Sequence, residues 1–383
     1  MGGGAGVSLG AETMACRSCG DRDGELVLDL GLQPPSDYFP DAGRAAEDPL
    51  YPLQMWVCTS CHLAQLVADP TIPEEPRAVE PAALVAQAED AVGRVAAAGL
   101  LRPGARMTEY GSPHGGSWLG LLAQQGLSAV GDDDPADLVV DCFGLMHAAD
   151  QSAALAERAA RVAPAGTLLL QFHTLATIVR LGQWNSLRHG HYAYYSTAAL
   201  VSMLDRVGFQ AQRAWCFDLY GGTVLIAAQR AGEATVEADG SIASILEVED
   251  RLGATDPDAL RGLQNAASDR ANRLHEWLVA QRAAGVSVVG YGAASRAVSY
   301  LCRAEIDKEL LPAVADASPA KQGRRMPGTE IPIVAPEELI TRHPDAVALF
   351  LPDLLPEVRQ SLPEIEASGA VWVDVDSLGG DSR

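Results

Sequence analysis

Two Cys-x-x-Cys pairs, Cys16 with Cys19 and Cys58 with Cys61, constrain this chain more than any other feature. Each pair can turn two thiolates toward one point, and two such knuckles supply the closed tetrahedral set of a structural zinc site. A closed set leaves the ion no open position, so it holds the fold and does no chemistry. A thioredoxin-like redox role needs a strand–helix–strand setting, which neither pair has. His62 adjoins a ligand and is superfluous as a fifth. The residues between the pairs suit a small, turn-rich unit. Leu26 to Leu30 reads as a strand, and Pro34-Pro35 fixes a loop because proline cannot extend a ladder. Residues 1–75 are expected to be a zinc-binding domain, followed by a proline-rich linker from Pro70 to Pro81.

Composition narrows what the remainder can be. Of 383 residues 48 % are hydrophobic and 20 % charged, enough apolar material for true cores. A net charge of −22 repels phosphates, which argues against nucleic acid or an anionic membrane surface as a partner. A local basic pocket for one small anionic ligand is still compatible with it. No stretch reaches the ~20 apolar residues of a membrane span, and Met1-Gly-Gly-Gly lacks the regions of a signal peptide. A cytoplasmic protein is expected, in which paired cysteines serve as metal ligands. The scattered Cys142, Cys216 and Cys302 are expected to be small core residues.

Beyond the linker, strands and helices alternate, the pattern of a parallel sheet covered on both faces. Met107 to Tyr110 is a short strand entering the turn Gly111-Ser-Pro-His114-Gly115-Gly116 and then a helix with Trp118, Leu119 and Leu122. Strands follow at Leu138 to Cys142, Thr167 to Phe172, Gln210 to Phe217 and Thr223 to Gln229. The helices between them are Ser152 to Arg161 and Thr197 to Val207. Thr235 to Ala284 reads as one long helical stretch. A smaller α/β unit closes the chain, beginning with the strand Val286 to Tyr291, the turn Gly290-Tyr-Gly and the helix Ala294 to Arg303. The fold class is thus α/β in three parts, with boundaries at 1–75, 76–232 and 233–383.

Three segments outside the cysteines carry chemistry. The turn after Glu109 lets the backbone of Gly111 and Gly115 approach a nucleotide-like ligand. Arg188-His189-Gly190-His191-Tyr192-Ala-Tyr194-Tyr195 gathers imidazoles, phenols and a guanidinium in one loop, with His189 and His191 able to move protons. His173 stands at a strand end, where parallel sheets place ligands. His114 and His147 are less constrained. Gly290-Tyr291-Gly292-Ala-Ala-Ser-Arg296, with Asp316 and the run from Pro319 through Lys321, can hold a phosphate through Arg296 and Lys321.

Read together, these segments resemble the sugar C-methyltransferases that act on nucleotide-linked deoxysugars. The likeness runs through Cys16 to Cys61, through His189-Gly-His191 with Gly221-Gly222, and through Gly290-Tyr-Gly-Ala with Pro327-Gly-Thr-Glu-Ile-Pro-Ile. It implies a zinc domain, a shortened Rossmann-like methyltransferase domain binding S-adenosylmethionine, and a second Rossmann-like domain at the C-terminus. It also implies removal of a proton beside a keto group of a thymidine-diphosphate sugar, then methyl transfer to that carbon. His191 matches the expected base, with His189 and Tyr194 beside it. Glu109, Gly111 and Gly115 match the cofactor turn, and Tyr192, Tyr291, Arg296 and Lys321 are the candidate substrate contacts.

The chain also departs from that pattern. Arg188 and Gly190 stand where the family loop has tyrosine and glutamate. Arg296 replaces a lysine, and Asp353-Leu354 follows Pro352 in place of tryptophan and asparagine. A Tyr-Ser-Ser-like segment expected before the first helix of the central domain is replaced by Ala78 to Val85. Between Gly131 and Leu138 there is no room for the helix and strand that wall the adenine. Two other readings arise from these losses: an enzyme using the histidine loop for donor-free isomerisation, elimination or cyclisation, and a non-catalytic biosynthetic partner.

Overall fold

The computed structural model describes residues 14–43, 48–71, 80–112, 115–131, 134–233 and 238–379. His114, most of the 70–81 linker and part of the segment after Gly131 lie outside these residues. Three sheets organise the chain.

The first sheet runs in the order Gly24–Gln33, Tyr51–Cys58, Ala64–Leu66 and Ala193–Tyr194, all antiparallel. Its fourth strand comes from the histidine loop, so the zinc unit and that loop are one hydrogen-bonded structure. The first strand is longer than its apolar run suggests, with ladder irregularities between Leu26 and Leu28 and between Asp29 and Leu32.

The central sheet has the order Ser128–Ala129, Arg106–Gly111, Ala136–Cys142, Val162–His173, Thr223–Arg230 and Phe209–Phe217. The first four strands are parallel. Thr223–Arg230 is antiparallel to both neighbours, so the sheet is mixed where an all-parallel one was expected. The cause is local: the link 218–222 is too short for a crossover, and a tight link between adjacent strands makes a hairpin. Among the described residues no strand lies outside Ser128–Ala129, whose two residues are exposed. Among the described residues no helix or strand lies between that edge and Ala136–Cys142.

The third sheet is parallel throughout, ordered Ile333–Val334, Val314–Ala315, Val288–Tyr291, Ala346–Leu349 and Val371–Asp374. Strand order reverses on either side of Val288–Tyr291, which creates a crevice at its carboxyl end, between the strand and Ala346–Leu349.

The long helical stretch is two helices, Ser241–Arg251 and Pro257–Ala283. Asp256 caps the second through Asp258 N–H, and Pro257 occupies its first turn, where a missing N–H costs nothing. Leu260, Leu263, Ala267, Ala271, Leu274 and Leu278 recur along one side of this helix and are buried. They belong to one core that also takes in Val27, Leu28 and Met55 of the first sheet and Val288, Ala346 and Phe350 around the third. The N- and C-terminal parts are therefore packed on a common spine. No helix among the described residues is long and apolar enough to cross a membrane.

Candidate functional site

The four cysteine sulfurs lie within 4.8 Å of one another, with Cys16 Sγ 3.4 Å from Cys61 Sγ and Cys19 Sγ 3.6 Å from Cys58 Sγ. Four thiolates on a tetrahedral ion with ~2.3 Å bonds need separations of this size. Three of the four are buried and the pairs come from two separate turns, so the set fits a zinc ion that staples those turns. Of the other cysteines Cys142 is buried and Cys302 half-buried, its thiol pushed up to about 12 by burial. Cys216 is exposed at the sheet edge and is not a core residue.

At the carboxyl end of the central sheet Glu109 fastens the glycine turn. Its carboxylate accepts from Ser117 Oγ at 2.7 Å and from Trp118 N–H at 2.6 Å, where the chain enters the helix Leu119–Gln124. Gly115 adopts φ +94°, a conformation that excludes most side chains. Among the described residues no atom lies within 4 Å of where a Cβ on Gly111 or Gly115 would point, so these residues leave the backbone open on that side. The residues present fit close approach of a ligand at the turn. They supply no wall at the neighbouring exposed edge Ser128–Ala129.

Next to the turn is a strand-end loop built by Asp141. This buried carboxylate pairs with Arg158 at 2.5 Å and accepts from Gly144 and Leu145 N–H. Desolvation pushes its pKa up, and Arg158 acts against that. The loop it holds presents Phe143, at φ +58°, and His147. Gly111 pairs with Phe143 through an isolated bridge, which sets the glycine turn against the loop that carries His147.

Beside His147, side chains from the three parts of the chain come together. His191 and His147 stack edge to face, 4.6 Å between centroids, and His147 Nδ1 lies 2.9 Å from the carbonyl of Gly190. Arg188 Nε stands 2.8 Å from His191 Nε2 and 3.4 Å from its Nδ1. A guanidinium only donates, so the ring nitrogen facing it holds a lone pair and His191 is neutral. Tyr220, at φ +57°, sets its ring 6.1 Å from Phe143 and 6.3 Å from His173. Arg296 lies over that ring at 5.1 Å. Arg296 begins the helix after Gly290-Tyr-Gly, and Asp353 follows Ala346–Leu349, so both stand at the crevice of the third sheet. Asp37, from the loop after the first strand, accepts from Ser295 Oγ at 2.8 Å. Asp37, His147, His173, Arg188, Tyr220, Arg296 and Asp353 each keep part of their surface open.

Electrostatics in this cluster arise from burial and from the two guanidiniums. His147 is pushed down to about 4, first by desolvation and then by Arg188. His173 is pushed down to about 3 by desolvation, with Arg296 next. Tyr220 is raised by burial against the opposing pull of Arg296 and Arg188. Burial lowers Arg188 while Asp37 raises it. Burial raises Asp353, and Arg296 opposes that.

Of the residues singled out from sequence, the structure brings His147, His173, Arg188, His191 and Arg296 together and sets Glu109, Gly111 and Gly115 beside them. The others are elsewhere. His189 is buried against the zinc sheet, its Nε2 3.2 Å from Pro52 O and its ring edge-on to Tyr51. Tyr192 lies under Arg17, 4.9 Å from the guanidinium. Tyr194 is buried, its hydroxyl accepting from Arg188 N–H and donating to Ser186 O. Tyr291 packs edge-on against Trp372, and Lys321 is buried, donating to Ala293 O at 2.8 Å with Asp316 at 3.6 Å. Phe143, Tyr220, Asp353 and Asp37 had no sequence signal of comparable strength, since they come from four separate loops.

Comparison with known proteins finds similarity at both ends of the chain. Residues 218–375 match a family model described as "C-methyltransferase C-terminal domain", and residues 16–72 match one described as "Putative zinc binding domain". C-methyltransferase NovU of Streptomyces niveus is 23 % identical over 399 residues, spanning 94 % of each chain. Among solved structures, magnesium protoporphyrin IX methyltransferase of Synechocystis PCC 6803 with bound SAH overlaps 38 % of this chain and 83 % of its own, at 17 % identity and a TM-score of 0.29. The 1,6-didemethyltoxoflavin-N1-methyltransferase of Burkholderia thailandensis overlaps 44 % and 96 %, at 14 % identity and a TM-score of 0.29. With a match to a zinc-binding domain at one end, a match to the C-methyltransferase C-terminal domain at the other and a relative aligned along nearly its whole length, this chain is similar to C-methyltransferases from end to end.

Proposed function

We propose that this chain is a cytoplasmic C-methyltransferase acting on a keto-bearing small molecule of the deoxysugar type, carried on a nucleotide. The single observation behind this reading is the cluster of side chains at His191. It gathers a neutral His191 and two half-open guanidiniums at the ends of two Rossmann-like sheets, with the glycine turn after Glu109 bridged to the adjoining loop. S-adenosylmethionine, held at Glu109, Gly111 and Gly115, would supply an electrophilic methyl group.

The chain's own residues have two tasks. The first is to take a proton from the carbon beside the keto group, for which His191 is the candidate base, with His147 packed on its face. An imidazolium formed at His191 would face the positive charge of Arg188, so proton transfer needs compensation elsewhere. The second task supplies it: the electron pair left behind moves toward the keto oxygen, and N–H groups of Arg188 can stabilise that oxyanion. Tyr220 covers one side of the cluster and limits water, and Arg296 at the crevice of the third sheet suits a diphosphate.

Calorimetric titration of the zinc-loaded protein with S-adenosylmethionine and S-adenosylhomocysteine tests the reading. Micromolar binding is expected. No binding at millimolar ligand would overturn methyl transfer and favour the donor-free reading, which the exposed, two-residue sheet edge at Ser128–Ala129 supports. An adenine ring with no wall buries little surface, and buried surface supplies most small-ligand affinity.

A further inference from the structure

Among the described residues Arg188 has no counter-ion. Its Nε points at His191, and its terminal nitrogens make no hydrogen bond or ion pair among those residues. Arg296, close enough for its charge to oppose that of Arg188, likewise has no hydrogen bond or ion pair among them; it lies over the face of Tyr220, with Asp353 near enough to feel its charge. The groups around Arg188 do not neutralise it. His147 and His173 are held uncharged, Tyr220 keeps its proton, and His191 presents a lone pair. Asp37 is near enough to be felt, yet it forms no ion pair with Arg188 and is engaged by Ser295 Oγ. Asp37 and Asp353 lie near the two guanidiniums, yet neither pairs directly with one, so each guanidinium keeps donors for an anion that joins the site.

We propose that Arg188 binds the acceptor by a carboxylate, or an equivalent pair of anionic oxygens, carried next to the carbon that reacts. The proposal rests on this cluster being the acceptor site of the proposed reaction. It goes further by assigning this chain an acceptor with a standing negative charge close to His191, apart from any diphosphate at Arg296. The planar fork of the guanidinium matches two oxygens at once, which neither an ammonium nor a phenol can do. Its Nε is already spent on His191, so the terminal nitrogens are the ones left for the ligand, and the bound group is held within reach of that ring.

The test uses the full zinc-loaded chain at fixed ionic strength, with 2-oxobutanoate, its uncharged methyl ester and inorganic pyrophosphate as probes. Binding is read by ligand-observed NMR for wild type, Arg188→Gln, Arg188→Lys and Arg296→Gln. Zinc content and circular dichroism confirm that each variant is folded. Wild type is expected to bind 2-oxobutanoate in the millimolar range and the ester at least ten-fold more weakly. Arg188→Gln should lose at least ten-fold for the acid, and Arg188→Lys should retain part of it. Pyrophosphate should be insensitive to Arg188→Gln and weakened by Arg296→Gln. The proposal is overturned if the ester binds as well as the acid, if Arg188→Gln binds the acid like wild type, or if wild type shows no binding at tens of millimolar. Failure of the methyl-donor titration would leave these carboxylate results standing, so the two readings fail separately.

Discussion

Three histidines of this protein are held neutral by their surroundings, each for a slightly different reason. Burial comes first for His147, His173 and His189, and a nearby guanidinium adds to it for the first two. For a histidine whose folded pKa lies below its unfolded value, the unfolded chain binds more protons below ~6.5. Stability is then present above that pH and lost as pH falls toward the folded pKa. For His147, with a folded value of about 4, the loss is on the order of 3 kcal/mol. His147→Gln should therefore flatten the fall in urea midpoint between pH 6.5 and 4. An unchanged slope would mean that His147 is not the buried neutral group described. Arg188→Gln removes one of the two causes of the shift, so the His147 ring resonance should titrate at a higher pH than in wild type by NMR. At Lys321 the role is structural: its ammonium fastens the 292–294 turn through Ala293 O beside Asp316. Lys321→Met should lower stability by about 2–4 kcal/mol, because it leaves Asp316 without its cation. Pyrophosphate binding should remain; its loss would restore the phosphate-binding reading of Lys321.

At the scale of elements, one carboxylate links two parts of the chain. Glu249, buried on the helix Ser241–Arg251, accepts from Thr197 N–H at 2.8 Å, Ala198 N–H at 3.3 Å and Thr174 Oγ1 at 3.1 Å. It therefore caps the start of Thr197–Arg206, where helix amides lack partners and a negative charge is favoured. Those residues directly follow the histidine loop, so the cap also fixes where that loop ends. Glu249→Ala should cost about 1–3 kcal/mol, with Glu249→Gln in between, by urea denaturation. Hydrogen exchange at Thr197 and Ala198 should rise in the alanine variant. If it does not, the cap is supplied from elsewhere.

For the whole molecule, the spine helix Pro257–Ala283 makes the zinc unit and the third sheet parts of one core. Loss of zinc should therefore be felt far from the cysteines. Cys58→Ser, or removal of zinc by a strong chelator, is expected to lower Tm by roughly 10 °C or more. Hydrogen-exchange protection should fall at Val288–Tyr291 as well as within 16–72. Loss confined to residues 16–72 would show that the two ends unfold independently.

Much of this was present in the chain's own order of residues. The zinc set could be read because ligand geometry is encoded locally, in two residues separated by two others. Most strands and helices of both Rossmann-like parts could be read because apolar periodicity and glycine turns are local signals too. Glu109 and the glycine turn belong to the same class, as does the short connection after Gly131, visible as a gap too short for a helix and strand. Which side chains of the polar loop join the cluster was settled by tertiary packing alone. His189, Tyr192 and Tyr194 lie within a few residues of His191, yet Ala193–Tyr194 is a strand of the zinc sheet, and its pairing turns them toward packing roles. Tyr291 and Lys321 were drawn inward by Trp372 and by Ala293 O, neighbours distant in sequence. Conversely Asp37, Phe143, His147, Tyr220 and Asp353 become neighbours only when three sheets converge. No local pattern can report that convergence, because it depends on how separate hydrophobic faces pack and not on the residues that the packing brings together.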